Sequence, residues 1–135
     1  MNDTLGFHLY DKWLSNLRKG KKITQFFEDN LYTNIAIYGF GLIGNQMVEE
    51  LKGTCIEISY LIDKRSNELR ETEYTVIHPD EIKELTGVQA IIVTPFDIYL
   101  EIERNLKLRI HDNDIDIFSI SNIVEYVSMY GKNKY

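Results

Sequence analysis

The segment 39–44, which reads Gly-Phe-Gly-Leu-Ile-Gly, constrains what this 135-residue chain can fold into more than any other feature. It matches the pattern G-x-G-x-x-G, which on its own is a weak signal. Here a short apolar run at 35–38 precedes it, as a buried parallel strand would. Apolar residues from Leu42 to Leu51 follow at helical spacing. A strand that turns into a helix over three glycines is the context in which this pattern binds nucleotide phosphates.

Each glycine of this turn has a separate expected role. Gly39 permits the tight change of direction, Gly41 lets a pyrophosphate approach the backbone, and Gly44 lets the helix lie close to the strand. The amides at the start of the helix then face an anion. The simpler alternative is that the glycines only form a tight turn. The candidate cofactor-binding residues of the turn are Gly39, Phe40, Gly41, Leu42, Ile43 and Gly44.

An acidic residue, Asp63, ends the next predicted strand. A carboxylate at this position can accept hydrogen bonds from the hydroxyls of a ribose. Lys64 and Arg65 follow at once, and their charges are compatible with a 2′-phosphate, so the pattern does not separate NAD from NADP. The alternative is that Asp63 only caps a loop. On the first interpretation Asp63, Lys64 and Arg65 extend the binding site, and the cofactor is NAD(P) or a nucleotide-sugar.

The rest of the chain repeats the alternation of strand and helix. Further strands are predicted at 56–62, 74–77, 90–93 and 115–118, and further helices begin near 79, 98 and 121. Such alternation produces a parallel sheet that is covered on both faces. Right-handed crossovers then predict an α/β, doubly wound sheet of five strands in the order 3-2-1-4-5.

Several polar side chains follow strands, at the edge where sheets of this type bind ligands. Thr94 and Pro95 end the fourth strand beside the glycine turn, so Thr94 is predicted either to donate to a ligand or to cap the next helix. His78 can stack on a base, but its place before a helix favours a cap. Ser119 and Ser121 also favour capping, with Ser121 predicted to cap the last helix.

Two helices are predicted before the first strand. Apolar residues spaced every four positions from Leu5 to Leu17 form one broad face, and a second short helix begins at Thr24, whose hydroxyl is expected to cap it. Residues 1–33 are therefore a helical extension of a nucleotide-binding unit at 34–130. The extension must pack on the edge of the sheet, on a second copy of the chain or on a partner, so a homo-oligomer and a complex with a larger enzyme both stay open.

Charge and hydropathy exclude several classes of function. The chain has 15 Lys and Arg against 21 Asp and Glu, a net charge of −6 that gives no general attraction to nucleic acid or to anionic membranes. No basic-then-apolar leader and no apolar run long enough to span a bilayer is present. We therefore expect a cytoplasmic protein with a small-molecule ligand, without nucleic-acid binding and without membrane insertion.

Patterns that carry catalysis or bind metal are missing from the sequence. Cys55 is the single cysteine, and His8 and His111 have no ligand spacing, so neither a disulfide nor a metal site is predicted. No G-x-S-x-G motif is present, and no acid or base has a convincing partner. We therefore predict no catalytic residues and no catalytic activity by the chain alone.

The span from about Asn34 to Val127 resembles the small Rossmann-type domains that accompany glycosyltransferase or acyltransferase modules in bacterial surface-polysaccharide and sugar-nucleotide proteins. The resemblance rests on four segments, which read IAIYGFG, IDKR, VIHPDE and IIVT. Such domains are often described as sugar-nucleotide epimerase-like and lack the catalytic part. The resemblance implies that the glycine turn and Asp63 hold a nucleotide or nucleotide-sugar, and that the N-terminal helices mediate assembly.

Two other families share fewer features with the chain. The ligand-gating domains of potassium transporters have the glycine turn and the acidic strand end, but their next segment does not match 66–79. Redox-sensing repressors resemble the chain at 93–95, but their winged DNA-binding domain has no counterpart in the sequence. Three hypotheses follow: a nucleotide-binding accessory or sensor module in bacterial carbohydrate biosynthesis, an NAD(P)-dependent oxidoreductase or epimerase completed by oligomerisation, and an interaction domain with a vestigial site.

Overall fold

A computed structural model of the chain describes residues 3–69, 72–82, 85–110 and 114–133. Its strands are β1 (Asn34–Tyr38), β2 (Glu57–Ile62), β3 (Thr75–Ile77), β4 (Ala90–Val93) and β5 (Asp116–Ser119). Its helices are α1 (Asp3–Arg18), α2 (Thr24–Asp29), α3 (Leu42–Leu51), α4 (Tyr99–Arg109) and α5 (Ile120–Tyr130). Two short 3-10 turns lie at Pro79–Glu81 and Phe96–Ile98.

The strands of the described residues form one all-parallel sheet in the order β3-β2-β1-β4-β5, so the predicted α/β fold and strand order are confirmed. The central strand β1 places Tyr38 beside Ile62 of β2 and beside Val93 of β4. The three strands therefore end level with one another. As a result the glycine turn, Asp63 and Thr94, which come next in the chain, meet at the same edge of the sheet.

Alternate residues of each strand point to opposite faces of the sheet, and each face has its own core. Ile35 and Ile37 of β1 pack in a core with residues of α1, α2, α3 and α5. Ala36, between them, belongs to the core of the other face, which α4 and the connection from β3 to β4 cover. The sheet is thus covered on both sides, as a continuous apolar strand such as β4 requires.

The two N-terminal helices pack on the face of the sheet that carries α3 and α5. Leu9 and Trp13 of α1 and Phe27 of α2 are buried in the same core as β1. The side chain of Asn16 donates to the carbonyl of Val124 in α5 at 3.2 Å. Residues before the first strand therefore form part of the same packed layer. None of the helices in the described ranges is long and apolar enough to cross a membrane.

Two local predictions about helices are wrong. Thr24 does not cap α2: the N-cap is Ile23, and the Thr24 hydroxyl is buried without a hydrogen-bond partner among the described residues. The helix predicted from Pro79 ends after one 3-10 turn, because Ile82 has extended backbone angles (φ −71°, ψ 116°). Ile82 and Leu85 are buried all the same, in the core that α4 covers. Residues 83 and 84 lie outside the described part.

Candidate functional site

The glycine turn joins β1 to α3 at the centre of the sheet. Gly39 has φ +89°, a conformation that side chains rarely adopt, and its amide donates to the Ile62 carbonyl at 2.7 Å. A Cβ atom on Gly39 would lie 2.6 Å from the Thr94 hydroxyl oxygen and 2.9 Å from Cδ of Pro95. The fold therefore requires glycine here, both for the backbone angle and for the space that β4 occupies.

The other two glycines of the pattern differ in their surroundings. A Cβ atom on Gly44 would lie 2.4 Å from the Gly39 carbonyl oxygen, so the close approach of α3 to the turn requires glycine there. A Cβ atom on Gly41 would meet no other part of the described chain within 4 Å, and its φ of −96° suits other residues. Internal packing accounts for Gly39 and Gly44 but not for Gly41, which borders open space.

The amino end of α3 presents backbone amides to that space. Gly41 is the N-cap, and no side chain caps the helix. The first hydrogen bond within the helix runs from the Asn45 amide to the Gly41 carbonyl at 3.0 Å. The amides of Leu42, Ile43 and Gly44 therefore have no acceptor within the helix. These amides and the helix dipole create a positive potential that favours an anion.

Asp63 is 7% exposed and holds the glycine turn from the side of β2. Its Oδ2 accepts from the Phe40 amide at 2.7 Å and from Nη2 of Arg65 at 3.1 Å. Its Oδ1 accepts from the Arg65 amide at 2.8 Å and from Nε of Arg65 at 3.1 Å. Nη2 of Arg65 also donates to the Phe40 carbonyl at 3.0 Å. Because a carboxylate has about four acceptor sites, those of Asp63 are filled by the protein itself.

These contacts determine the charge and the role of Asp63. Burial alone would raise its pKa, but the hydrogen bonds from the Arg65 side chain and from the Phe40 and Arg65 amides outweigh burial and hold the pKa below its ordinary value. The carboxylate is therefore ionised at neutral pH and locks the end of β2 to the turn. This is the loop-capping role that the sequence left open as the alternative. Contact between Asp63 and a ribose stays a prediction, and it requires Arg65 to move aside.

Thr94 and Pro95 hold the turn from the side of β4. The buried Thr94 hydroxyl lies 2.9 Å from the Tyr38 carbonyl oxygen and 2.8 Å from that of Gly39, and it is oriented to donate to them. It is thus used within the turn and does not cap the following 3-10 turn, whose N-cap is Pro95. The turn is fixed by contacts from both neighbouring strands.

Two cavities open at this edge of the sheet. The glycine-turn cavity has a volume of about 480 Å³, and its lining includes Tyr10, Phe40, Gly41, Leu42, Thr94 and Asp97. The α4 cavity also has a volume of about 480 Å³, and its lining includes Tyr38, Lys64, Pro79, Asp80, Ile102 and Arg109. Both cavities border Gly39, Asp63, Arg65, Pro95 and Ile98. The predicted site residues therefore separate two adjoining spaces of similar size.

The α4 cavity combines apolar walls with a few polar groups. Burial, and then the charge of Asp63, raises the pKa of Tyr38, so its phenol is protonated at neutral pH. No hydrogen-bond partner of the Tyr38 hydroxyl is found among the described residues. Nη2 of Arg109 contacts Oδ1 of Asp80 at 2.8 Å, and both residues line the cavity. The exposed Lys64 lines the same space. The cavity can thus receive a flat or apolar group with hydrogen-bonding atoms at its end.

Two of the capping assignments have clear outcomes. His78 is confirmed as a cap, since its Nδ1 accepts from the Asp80 amide at 3.0 Å. The prediction that Ser121 caps the last helix is wrong: Ser119 is the N-cap, and its hydroxyl accepts from the Ser121 amide at 3.3 Å. Ser119, the last residue of β5, has the extended conformation that an N-cap needs, so the cap lies two residues before the predicted cap, Ser121. His111 lies outside the described residues.

Several residues of the two cavities were not predicted from sequence, among them Tyr38, Arg109 and Tyr10. Tyr38 is the last residue of β1, and a side chain with a polar tip at that place could have been noticed as a signal. Arg109 lies at the end of α4 and Tyr10 lies on α1, both far in sequence from the glycine turn. Only the packing of the helices brings them to the site, so no local pattern marks them.

Comparison with known proteins adds no assignment. No protein-family model matches the chain, and no curated protein is significantly similar to it. Within the described residues, no group of three or more His, Cys, Asp and Glu side chains is placed so that it could hold a metal ion. Any ligand of the two cavities is therefore inferred from their own geometry and charge.

Proposed function

We propose that this chain is a nucleotide-binding module whose ligand is NAD(P) or a nucleotide-sugar. The observation that carries the proposal is the open space beside Gly41, which the uncapped start of α3 faces. Neither a positive φ nor packing among the described residues requires glycine at this position. A phosphate that must approach the backbone closely does require it. In this proposal the amides of Leu42, Ile43 and Gly44 bind that phosphate.

The charge of Arg65 supports the same proposal. Its side chain is 48% exposed and borders both cavities. Nε and Nη2 already bond Asp63 and Phe40, which leaves the two N–H groups of Nη1 without a partner among the described residues. Arg65 can therefore hold the turn and still donate to an anion. Lys64, next to Arg65, adds a second positive charge at this place in a chain whose net charge is −6.

The α4 cavity is the expected place of the nucleoside. Its volume of about 480 Å³ lies in the usual range of small-molecule sites. Pro79, Pro95 and Ile102 give it apolar walls that can pack on a base, and the Tyr38 hydroxyl offers a hydrogen bond. The phosphates would then pass over the residues that border both cavities, such as Gly39 and Arg65. The rest of the ligand would lie in the glycine-turn cavity.

The biological role that we propose is binding rather than chemistry by the chain alone. Residues 34–127 resemble accessory domains of bacterial carbohydrate biosynthesis, so the module would act there as a sensor or as a subunit of a larger enzyme. The ligand implies a cytoplasmic setting, where nucleotides are abundant. A second copy of the chain or an enzyme partner would bind outside the glycine-turn cavity and the α4 cavity.

A thermal-shift panel tests the proposal with NAD, NADP, UDP-sugars, CDP-sugars and coenzyme A. A ligand at 100 times its dissociation constant adds about 2.7 kcal/mol to the free energy of unfolding, which the assay resolves. The binder is then titrated by calorimetry against Gly41→Asp. Aspartate is a favoured N-cap, so this variant is expected to remain folded. Its carboxylate takes the place of the phosphate, so affinity should fall at least tenfold.

Cys55→Asp is the matched control. It adds the same charge at an exposed residue just before β2, at the opposite edge of the sheet. We expect wild-type affinity for this variant. Equal affinity of Gly41→Asp and the wild type would show that the ligand does not bind at the start of α3, and absence of any shift across the panel would refute nucleotide binding.

A further inference from the structure

The N-terminal helix α1 contributes a side chain to the glycine-turn cavity. The ring of Tyr10 lines this cavity together with Phe40, Leu42 and the end of β4. A minimal strand–turn–helix unit does not include α1, and the family resemblance implies assembly as the role of the N-terminal helices. Its contact with the cavity indicates a second role, because Tyr10 lines the same cavity as Gly41, Leu42 and Ile43 at the start of α3.

The position of Tyr10 is held by the residues that follow it in α1. Trp13 is 2% exposed, and its indole N–H donates to Oε1 of Glu50 in α3 at 2.9 Å. Asn16 donates to the Val124 carbonyl of α5 at 3.2 Å and accepts from the Ser128 hydroxyl at 3.0 Å. α1 is thus fixed to the helix that begins at the glycine turn, and Tyr10 is part of a rigid wall.

The phenol of Tyr10 has hydrogen-bonding capacity left for a ligand. The side chain is partly buried, and no hydrogen-bond partner of its hydroxyl is found among the described residues. A phenol hydroxyl can donate one hydrogen bond and also accept. The ring itself packs against the core of this face of the sheet. A ligand in the cavity can therefore contact both the ring and the hydroxyl.

The lining of the glycine-turn cavity combines charged and aromatic side chains. Arg65 and Asp97 are its charged members, and Tyr10 and Phe40 supply aromatic surface. A carboxylate accepts hydrogen bonds from hydroxyls, while aromatic rings pack on the C–H faces of a ligand. This combination suits a neutral group that bears hydroxyls.

We infer that Tyr10 binds the neutral, hydroxyl-bearing group attached beyond the phosphates, so that the cavity selects a nucleoside diphosphate sugar over the bare nucleoside diphosphate. This inference rests on the proposed nucleotide site and adds to it the class of ligand and a binding residue outside the strand–turn–helix unit. Tyr10 contacts the sugar directly, while Gly41 and Arg65 contact the phosphates.

Calorimetry on the full chain tests the inference with UDP-glucose and CDP-glucose, each compared with its own diphosphate, UDP or CDP. The base and the phosphates are common to each pair, so the affinity difference reports the sugar. Tyr10→Phe should weaken the sugar nucleotide about three- to tenfold, the effect of one hydrogen bond, and leave the diphosphate unchanged. Tyr10→Ala should weaken the sugar nucleotide further, because the ring is removed as well.

Tyr130→Phe is the matched control, since it removes one hydroxyl from an exposed tyrosine of α5 that does not line the cavity. We expect it to bind like the wild type. Sugar nucleotides that bind equally to the wild type and to both Tyr10 variants would overturn the inference and leave the proposed site standing. Binding of NAD or NADP without binding of sugar nucleotides would also overturn it. Failure of every nucleotide to bind the wild type would instead refute the proposed function, and the inference with it.

Discussion

Replacing Gly44 by alanine tests whether the close packing of α3 on the glycine turn holds the central crossover together. The new methyl carbon would lie 2.4 Å from the Gly39 carbonyl oxygen and 3.4 Å from Cδ1 of Phe40. The nearer atom belongs to the backbone, which cannot rotate away as a side chain would. Asp63 holds the same turn through the Phe40 amide, so a displaced turn would also strain that hydrogen bond.

The expected size of the effect follows from two opposing contributions. In an exposed helix, glycine to alanine stabilises the folded state by about 0.8–1 kcal/mol. At Gly44 the methyl carbon must retreat by about 0.6–1 Å to reach the 3.0–3.4 Å at which real contacts begin. Crowding of this kind costs about 1–3 kcal/mol, and weakening the Phe40 hydrogen bond adds about 1 kcal/mol. We expect a net loss of about 1–3 kcal/mol, which lowers the Tm by about 3–10 °C for a domain of this size.

Urea denaturation and calorimetry of the purified variant measure this loss. Gly41→Ser is the matched control, because it lies in the same turn, borders open space and gains a favoured N-cap. We expect its stability to rise by a few tenths of a kcal/mol. If Gly44→Ala raised the Tm, as helix propensity alone would do, the proposed packing of α3 against the turn would be refuted.

Three further predictions concern the groups that hold the site. Asp63→Ala should lower the free energy of unfolding by about 1–3 kcal/mol in urea, because the partly buried Phe40 amide loses its charged acceptor; a change below about 0.5 kcal/mol would contradict this role. Thr94→Val should cost about 1 kcal/mol and leave nucleotide affinity near the wild-type value, whereas a hydroxyl that binds ligand would show the reverse. Burial raises the pKa of Glu50 despite hydrogen bonds from Ile23 and Trp13. Because the folded state then binds the proton more tightly, the free energy of unfolding should fall as pH rises from about 4.3, the ordinary pKa of glutamate, through the raised pKa. Glu50→Gln should remove that slope in denaturation series at pH 4–7, and equal slopes in both proteins would count against the explanation.

The fold was predictable from sequence where a run of apolar residues has a single structural explanation. The four residues Ala90–Val93 are all fully buried, as a continuous apolar run in a central parallel strand must be. The segment after Pro79 shows the limit of such patterns. Pro79 followed by Asp80 and Glu81 is typical of the first turn of a helix, yet the turn ends at Ile82, whose backbone is extended. A signal for the start of a helix does not determine how far the helix continues.

The site was predictable at the level of the backbone but not of the side chains. The level ends of β1, β2 and β4 bring the glycine turn and Asp63 together, as parallel topology dictates. Whether the long side chain of Arg65 extends into solvent or folds back onto Asp63 depends on distances that no sequence pattern contains. Tyr10 is brought to the site by tertiary contacts of α1, such as that of Trp13 with Glu50, which joins residues 37 positions apart.

Stability and binding should therefore separate along the glycine turn, and this separation is the clearest physical signature of a binding site. Asp63 from β2 and Thr94 from β4 hold the turn before any ligand arrives. The amides at the start of α3 are thus positioned in advance, and a bound phosphate need not order them. Changes at Gly39, Gly44 or Thr94 disturb contacts inside the protein and should appear mainly as lost stability. A side chain on Gly41 would meet no other part of the described chain, so a change there should appear mainly in ligand affinity.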